Sequence, residues 1–565
     1  MSVKQKVHAV FIPWRFYFSL AVLSLVVLGL LSRVVDLSIL KQGFLQQQGN
    51  ARVVRSINTT SFRGMITDRN GYPLAVSTSV YSVWINPQEF NATTNNLKII
   101  SQLTGTDLLN TRGLLGHEKI KHREFMYLKR GVSPEVAAKI KSLALPGIYL
   151  QEEYKRYYPE GEVAAHLVGF TNIDDTGQEG LELAYNKWLA GTPGKKLVIK
   201  DRLGRVIADV RQIREQKPGG DLILSMDRRI QYLAYRELAE GIQKNVAASG
   251  SVIVLDVKTG EVLAMVNTPS FNPNNRPAQR SDVYRNRALT DTFEPGSTIK
   301  AFSIASALDS GLYKPASMID TAPGWMRVDR HVVRDEHNNG VISLAQILQV
   351  SSNVGTTKMM LTLPPPQLWS LLHRVGFGEI TGVGFPGEQS GSLAQRSHWS
   401  PFTLATLSFG YGISVTPIQL AQAYSIFAND GVKIPLTLLK VDKDPIGTRV
   451  MDPKIAKEML NLLETVTTAK KATGELARVP GYRVAGKTGT AIMAGPGGYQ
   501  KHHYTSSFVG IAPVSDPRVI VAVVVHDPQG KHYYASFVSA PIFEKIMEGT
   551  LRILNIPPDD PASTA

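Results

Sequence analysis

Phe16 to Ser32 runs without a charged residue between Arg15 and Arg33, and no other stretch constrains the chain as much. With Arg33 snorkelling, the apolar run extends to about Leu37, long enough for one helix to cross a bilayer. Trp14, Phe16 and Tyr17 supply an aromatic belt at its start. Lys4, Lys6 and Arg15 precede it, so the short N-terminus is expected to stay in the cytoplasm. No small-x-small cleavage site follows; the sequence continues Arg33-Val34-Val35-Asp36-Leu37, which predicts a retained anchor rather than a signal peptide. No second span of this kind is read, so the rest of the chain is expected on the far side of the membrane.

The 565 residues suffice for several domains, and the apolar share of 43% and charged share of 19% are ordinary for globular protein. Net charge is +15, which suits an anionic partner such as a lipid surface or a cell-wall polymer. No basic motif interleaved with aromatics appears, so nucleic acid is not expected. There are no cysteines, which excludes disulfides, thiolate metal sites and a thiol nucleophile.

Residues 1–15 read as a cytoplasmic terminus, 16–37 as the anchor and 38–220 as a pedestal without a catalytic constellation. In the pedestal, Asp68 to Gly71 is a turn between apolar runs, hence a hairpin. Val80 to Ile85 reads as a strand. Residues 95–145 read as short helices, with Pro134 in a first turn. The breaker cluster Lys217-Pro218-Gly219-Gly220 marks a boundary. Residues 221–555 then open with a helix, Arg228 to Asn245, and two strands, Ser251 to Leu255 and Glu261 to Val266. They close with strands Ser507 to Ala512 and Val519 to Val525 and a helix, Ile542 to Leu554. Strands at both ends of an all-helical middle predict an α+β fold, a sheet flanked by helices. Residues 556–565 are expected to be disordered.

The chemistry centres on Phe293-Glu294-Pro295-Gly296-Ser297-Thr298-Ile299-Lys300. Pro295 and Gly296 turn the chain into an apolar helix, which puts Ser297 at its start and Lys300 about one turn further on the same face. A desolvated lysine can take the proton of a neighbouring serine, and free N–H groups at a helix start suit an oxyanion. Two further motifs follow in order, Ser351-Ser352-Asn353 and Lys487-Thr488-Gly489, a set of the type used by serine acyl-enzymes that open β-lactams. Each is weak alone. Ser38-x-x-Lys41, Ser56-Ile57-Asn58 and Lys258-Thr259-Gly260 form a second ordered set. Context separates them: Ser38 and Lys41 lie at the membrane exit, and Lys258-Thr259-Gly260 at a hairpin tip. Lys487 instead follows an extended stretch with a partner strand beyond a Gly-rich loop. Ser351 and Asn353 fall between helical runs Ser343 to Val350 and Val354 to Leu361. His502-His503 reads as a polar loop, not a ligand pair.

With their flanks, these motifs resemble a class B penicillin-binding protein. Leu224-Ser225-Met226-Asp227, Asn286-Arg287-Ala288, Phe293 to Thr298, Ser351-Ser352-Asn353-Val354-Gly355 and Ala485 to Thr490 carry the likeness, and Arg63 to Ala75 is similar to the pedestal of that family. Ser408-Phe409-Gly410-Tyr411-Gly412-Ile413-Ser414-Val415-Thr416-Pro417 resembles the septal, division-specific member. The resemblance implies a peptidoglycan D,D-transpeptidase. Ser297 would attack the penultimate D-alanine carbonyl of a stem peptide, Lys300 would be the base, Ser351 would shuttle the proton, and Asn353 would orient Lys300 and the substrate. Lys487, Thr488, Gly489 and Thr490 would form the substrate-binding strand, with Lys487 keeping the site positive, and the N–H groups of Ser297 and Thr490 would form the oxyanion hole. It implies a pedestal of dimerisation type, β-lactam binding, an amine acceptor, and no cofactor or metal. It further implies placement at the division septum with a membrane glycan polymerase and other division proteins. A β-lactamase, a D,D-carboxypeptidase, the elongation-specific transpeptidase and a non-catalytic scaffold share parts of this pattern. The intact motif set argues against the last.

Overall fold

The structure, a computed structural model, describes residues 13–91, 93–200, 206–276, 281–495 and 497–561. Lys4 and Lys6, used above for topology, lie outside the described residues. The chain falls into two compact units, one made of residues up to 61 with 192–217, the other of 62–191 with 218 onward. The Lys217–Gly220 breaker therefore marks a border. Within the pedestal expected over 38–220, residues 62–191 group with the C-terminal part.

The first unit begins with the helix Pro13–Val35, exposed along its length, which runs into the π-helical turn Asp36–Leu40. Among the described residues, Pro13–Leu40 is the one helix long and apolar enough to cross a membrane. Asp36 ends the run by pairing with Arg33 at 2.7 Å and Lys41 at 3.0 Å. The helix Gln42–Val53 and the antiparallel strands Val54–Thr59, Gly194–Lys200 and Val206–Arg214 complete the unit.

In the second unit, the predicted hairpin is present as Ile66–Thr67 and Pro73–Ile85. Asp68 builds the turn: its Oδ1 accepts the N–H of Asn70 and of Tyr72, both at 2.8 Å. Strand Pro73–Ile85 pairs with Ile148–Tyr157 and with Met126–Val132, a strand that the sequence reading had placed among helices. Pro134 does open a helix, Pro134–Ser142, capped by Ser133. Beneath this sheet, Glu182 is fully buried between two arginines, with Oε2 at 2.5 Å from Arg63 Nε and Oε1 at 2.6 Å from Arg156 Nε.

The C-terminal part is built on a five-stranded antiparallel sheet in the order Val262–Thr268, Ala247–Asp256, Val519–Pro528, Gly498–Ala512, Ala485–Gly495. Period-two alternation splits the central strand between two cores. Val519, Val521, Val523 and Val525 face one core, with Leu238 and Phe543 from the helices Arg228–Lys244 and Ser539–Ile553. Ile520, Ala522 and Val524 face the other, with Phe302 and Tyr424. Burial of both faces explains the unbroken apolar run there. The helix Lys300–Asp309 is buried nearly all round, and Phe302 packs within 5.0–5.5 Å, ring to ring, of Phe377, Tyr424 and Phe427.

Three expectations need correction. The expected Gly-rich loop with His502-His503 is a continuation of strand Gly498–Ala512, and His503 bonds Asp527 at 2.8 Å. The middle is helical but, among the described residues, also holds three small antiparallel pairs: Met318–Asp320 with Val341–Ser343, Trp325–Val328 with His331–Arg334, and Val432–Lys433 with Thr448–Arg449. The tail is ordered to residue 561: Ile556 is buried, and Asp559 accepts the Arg483 N–H at 2.8 Å. Polar composition hid a tail whose carboxylates satisfy a strand end.

Glu182→Ala leaves two buried guanidinium groups without their carboxylate. It is expected to destabilise the protein by about 3–5 kcal/mol, read by denaturant unfolding. A loss below about 1 kcal/mol would mean that the pair is no stronger than a surface ion pair.

Candidate active site

Ser297 lies in a 3-10 turn, Gly296–Ile299, and Lys300 opens the following α-helix. The turn is pinned from three sides. Gly296 N–H donates to Gly410 O at 3.1 Å, Thr298 Oγ1 to Pro295 O at 2.8 Å, and Tyr424 Oη to Thr298 O at 2.6 Å. Two glycines make the close approach possible. A Cβ at Gly410 would fall 2.0 Å from Gly296 O, and one at Gly489 would fall 2.8 Å from Pro295 O and 2.5 Å from Ser507 Oγ. The edge strand carrying Lys487 can thus lie directly against the Ser297 turn.

The second motif sits in a bend between the helices Leu344–Gln349 and Asn353–Met360. Ser351 takes a left-handed backbone, φ 55°, unusual for a residue with a side chain. The bend is held by Asp335, a residue the sequence reading did not single out. Its carboxylate accepts from Ser352 Oγ at 2.5 Å and from the N–H groups of Asn353 at 2.6 Å and Val354 at 2.9 Å. A carboxylate at a helix start satisfies open N–H groups and opposes the helix dipole.

The three motifs meet. Lys300 Nζ donates to Ser351 O and lies 3.2 Å from Ser351 Oγ. Lys487 Nζ lies 3.2 Å from the same Oγ, 3.1 Å from Thr488 O and 3.2 Å from Thr488 Oγ1. One hydroxyl therefore bridges two lysines, both 0% exposed. Burial lowers the Lys300 pKa to about 7, against the attraction of Asp335 and Glu336. Burial, and then the charge of Lys300, hold Lys487 well below the usual lysine range. Two ammonium groups sharing one hydroxyl disfavour each other away from water, so burial and Lys300 both work against the positive charge expected of Lys487.

Ser297, Ser351, Asn353, Thr488 and Thr490 line one cleft of about 500 Å³; Lys300 and Lys487 lie buried against Ser351. Asn353 Nδ2 donates to Arg334 O at 3.0 Å, and Lys300 is held by Ser351. Thr490 Oγ1 accepts the Ala535 N–H at 3.0 Å. Ile492 N–H points off the sheet to Tyr411 Oη at 3.2 Å, so the Thr490 N–H, two residues earlier, faces the same open edge. Glu294 Oε1 accepts from Gly412 N at 2.8 Å and Tyr499 Oη at 3.1 Å, tying the Gly-Tyr-Gly segment and the hairpin to the serine turn. Thr473 accepts from Thr488 Oγ1 at 2.9 Å. Sequence reading missed Asp335, Thr473 and Glu294's role, since none has a spacing that marks it. Only the run Asp335-Glu336-His337-Asn338-Asn339 hinted at a polar loop.

Members of the second motif set are engaged locally. Ser38 donates to Val34 O inside the apolar helix, Ser56 lies on a strand, and the Lys258 and Thr259 N–H groups close a tight turn on Asp256 Oδ1 at 2.9 Å.

Residues 250–548 match the penicillin-binding protein transpeptidase domain, and 58–224 match the penicillin-binding protein dimerisation domain. The chain is 42% identical to the peptidoglycan D,D-transpeptidase FtsI of Escherichia coli K12, over 98% of this chain and 94% of that one. It is 28% identical, with a TM-score of 0.72, to the crystal structure of a peptidoglycan synthetase from Bifidobacterium adolescentis, over 90% and 98% of the two chains. The transpeptidase domain of Burkholderia pseudomallei penicillin-binding protein 3 aligns at 40% identity and TM-score 0.55, over 60% of this chain and 97% of that one. A serine turn facing a Lys-Thr-Gly edge strand, on a chain similar to these proteins almost end to end, places it in a family: it belongs to the class B penicillin-binding proteins and is a serine-type peptidoglycan D,D-transpeptidase.

Proposed function

We propose that the chain cross-links stem peptides of septal peptidoglycan, with Ser297 as nucleophile and Lys300 as its base. The observation that carries the roles is the Ser351 hydroxyl shared by Lys300 and Lys487 beside Ser297. A neutral amine has two N–H bonds and one lone pair. At Lys300 the N–H bonds have Ser351 O and Oγ as acceptors, which leaves the lone pair for the Ser297 proton. Ser297 Oγ bonds to the carbonyl carbon of the penultimate D-alanine. The resulting oxyanion is held by the N–H groups of Ser297 and Thr490. The intermediate collapses by breaking the bond to the terminal D-alanine, whose amine takes a proton through Ser351. An amine from a second stem peptide then displaces Ser297, completing the cross-link.

Lys487, Thr488 and Thr490 would receive the terminal carboxylate on the edge strand whose close fit Gly489 permits. An arriving carboxylate would favour the charged form of Lys487, against the burial that disfavours it. Asn353 would orient the substrate amide, its grip on Arg334 O fixing its plane. β-Lactams, which also present a carboxylate and a reactive carbonyl, would acylate Ser297.

The apolar N-terminal helix and the likeness to FtsI support a single-pass membrane protein. A cytoplasmic N-terminus, a septal site and a membrane glycan polymerase with other division proteins as partners are the finer reading. The segment Ser408 to Pro417 favours the septal form over the elongation-specific one. A fluorescent fusion in dividing cells is expected to collect at midcell; uniform lateral fluorescence would favour the elongation role.

Penicillin acylation of Ser297, followed by intact mass and peptide mapping, is expected to depend on neutral Lys300. The rate should climb about tenfold per pH unit below the Lys300 pKa and level off above about pH 7. A flat profile from pH 5 to 9 would remove Lys300 as the base.

Lys487→Ala is expected to slow acylation by about one to two orders of magnitude, the worth of a charge-assisted hydrogen bond. Lys258→Ala, in the turn of the second motif set, is expected to change it less than about twofold. The reverse outcome would move the carboxylate site to the other Lys-Thr-Gly.

A further inference from the structure

The hairpin Trp325–Val328 and His331–Arg334 has a regular inside and outside. Val328 and Val333 are buried with Val354 and Ala405, and Met326 packs on the same cluster. The cross-strand pairs Trp325–Arg334 and Arg327–Val332 take the other face, and all four residues are exposed. Trp325 keeps 47% of its surface. The core does not use this indole, which leaves its plane open to solvent beside the cleft. The Arg334 guanidinium stands 6.0 Å from the Trp325 ring and also lines the catalytic cleft. Asp335, the next residue, caps the helix of the second motif. The outer face of the hairpin is therefore continuous with the cleft.

The substrate sets a distance. This inference rests on the transpeptidase reading above, in which the donor peptide hangs from a sugar polymer. The residues between the sugar and the reacting carbonyl, about four, reach roughly 13–14 Å when extended. The polymer must therefore cross the rim close to the cleft mouth. A pyranose ring offers an apolar C–H face ringed by hydroxyls. An indole plane suits the first and guanidinium donors suit the second. We propose that the outer face of the 325–334 hairpin, with Trp325 as platform and Arg327 beside it, binds the glycan strand that carries the stem peptide held in the cleft.

The test uses the full-length protein in detergent, with two donors: a pentapeptide on its glycan chain and the same pentapeptide without sugar. Trp325→Ala is expected to lower the kcat/KM preference for the glycan-borne donor about tenfold, as befits a central aromatic anchor, and to do so through KM. Glycan strands stripped of peptide by an amidase should bind the wild-type protein and bind Trp325→Ala at least about tenfold more weakly, with Trp325→Phe between. An unchanged donor preference, equal binding of stripped glycan to wild type and variant, or no binding to wild type would each overturn the proposal. Should Trp325→Ala fail to fold, Trp325→Phe and Arg327→Gln decide by the same binding measurement. Absence of a penicillin adduct on wild-type Ser297 would defeat the transpeptidase reading itself. An intact adduct with an unchanged donor preference would defeat only the glycan site.

Discussion

The hydroxyl of Ser351 stands between two lysines that water cannot reach, and the catalytic part of the fold is arranged to sustain that contact. Among the described residues, neither amine has a carboxylate in direct contact to offset its burial. Asp335 and Glu336 favour the charged form of Lys300, but desolvation outweighs them and leaves an amine that titrates near neutrality. The fold bears a cost for this. An unfolded lysine binds its proton up to about 10.5, so the penalty at Lys300 is present in full below about pH 7 and fades as pH rises between the two values. Active sites are where such destabilising arrangements persist.

What holds the contact is the stiffness of its supports. The helix of Lys300 is wrapped by apolar side chains, and Lys487 projects from a sheet whose faces are both covered. Ser351 is forced into a left-handed bend by helices on either side, the second fastened by Asp335. None of these elements can shift to separate the amines without breaking a core contact or a cap. Stiff supports of this kind are what a preorganised cleft requires.

A different strategy holds the part of the fold built on residues 62–191. There Arg63 and Arg156 share Glu182 in two short, fully buried ion pairs, so charge is compensated instead of suppressed. Buried guanidinium groups keep their protons and need a partner; buried amines can give them up. The same chain uses arginine where it needs a fixed joint and lysine where the proposed chemistry needs a base.

The sequence by itself determined the anchor, the α+β class and which residue types could do the chemistry, because these rest on local properties. An apolar run of bilayer length, a breaker before a helix and an alternating strand declare themselves within a few residues. It also separated Lys487 from Lys258, since a hairpin tip reads differently from a strand. Only the tertiary structure decided what depends on residues far apart in the chain. Asp335 as the cap of the Asn353 helix, Gly410 beneath the serine turn and Glu182 between two arginines have no local signature. The downward pull on the Lys487 pKa has no local signature either. Its charge depends on burial and on Lys300, 187 positions away in a numbering that says nothing of distance. The ordered tail and the hairpin bearing Trp325 also needed the fold. Their polar residues resemble loops until a strand end or a helix start supplies the partners that order them.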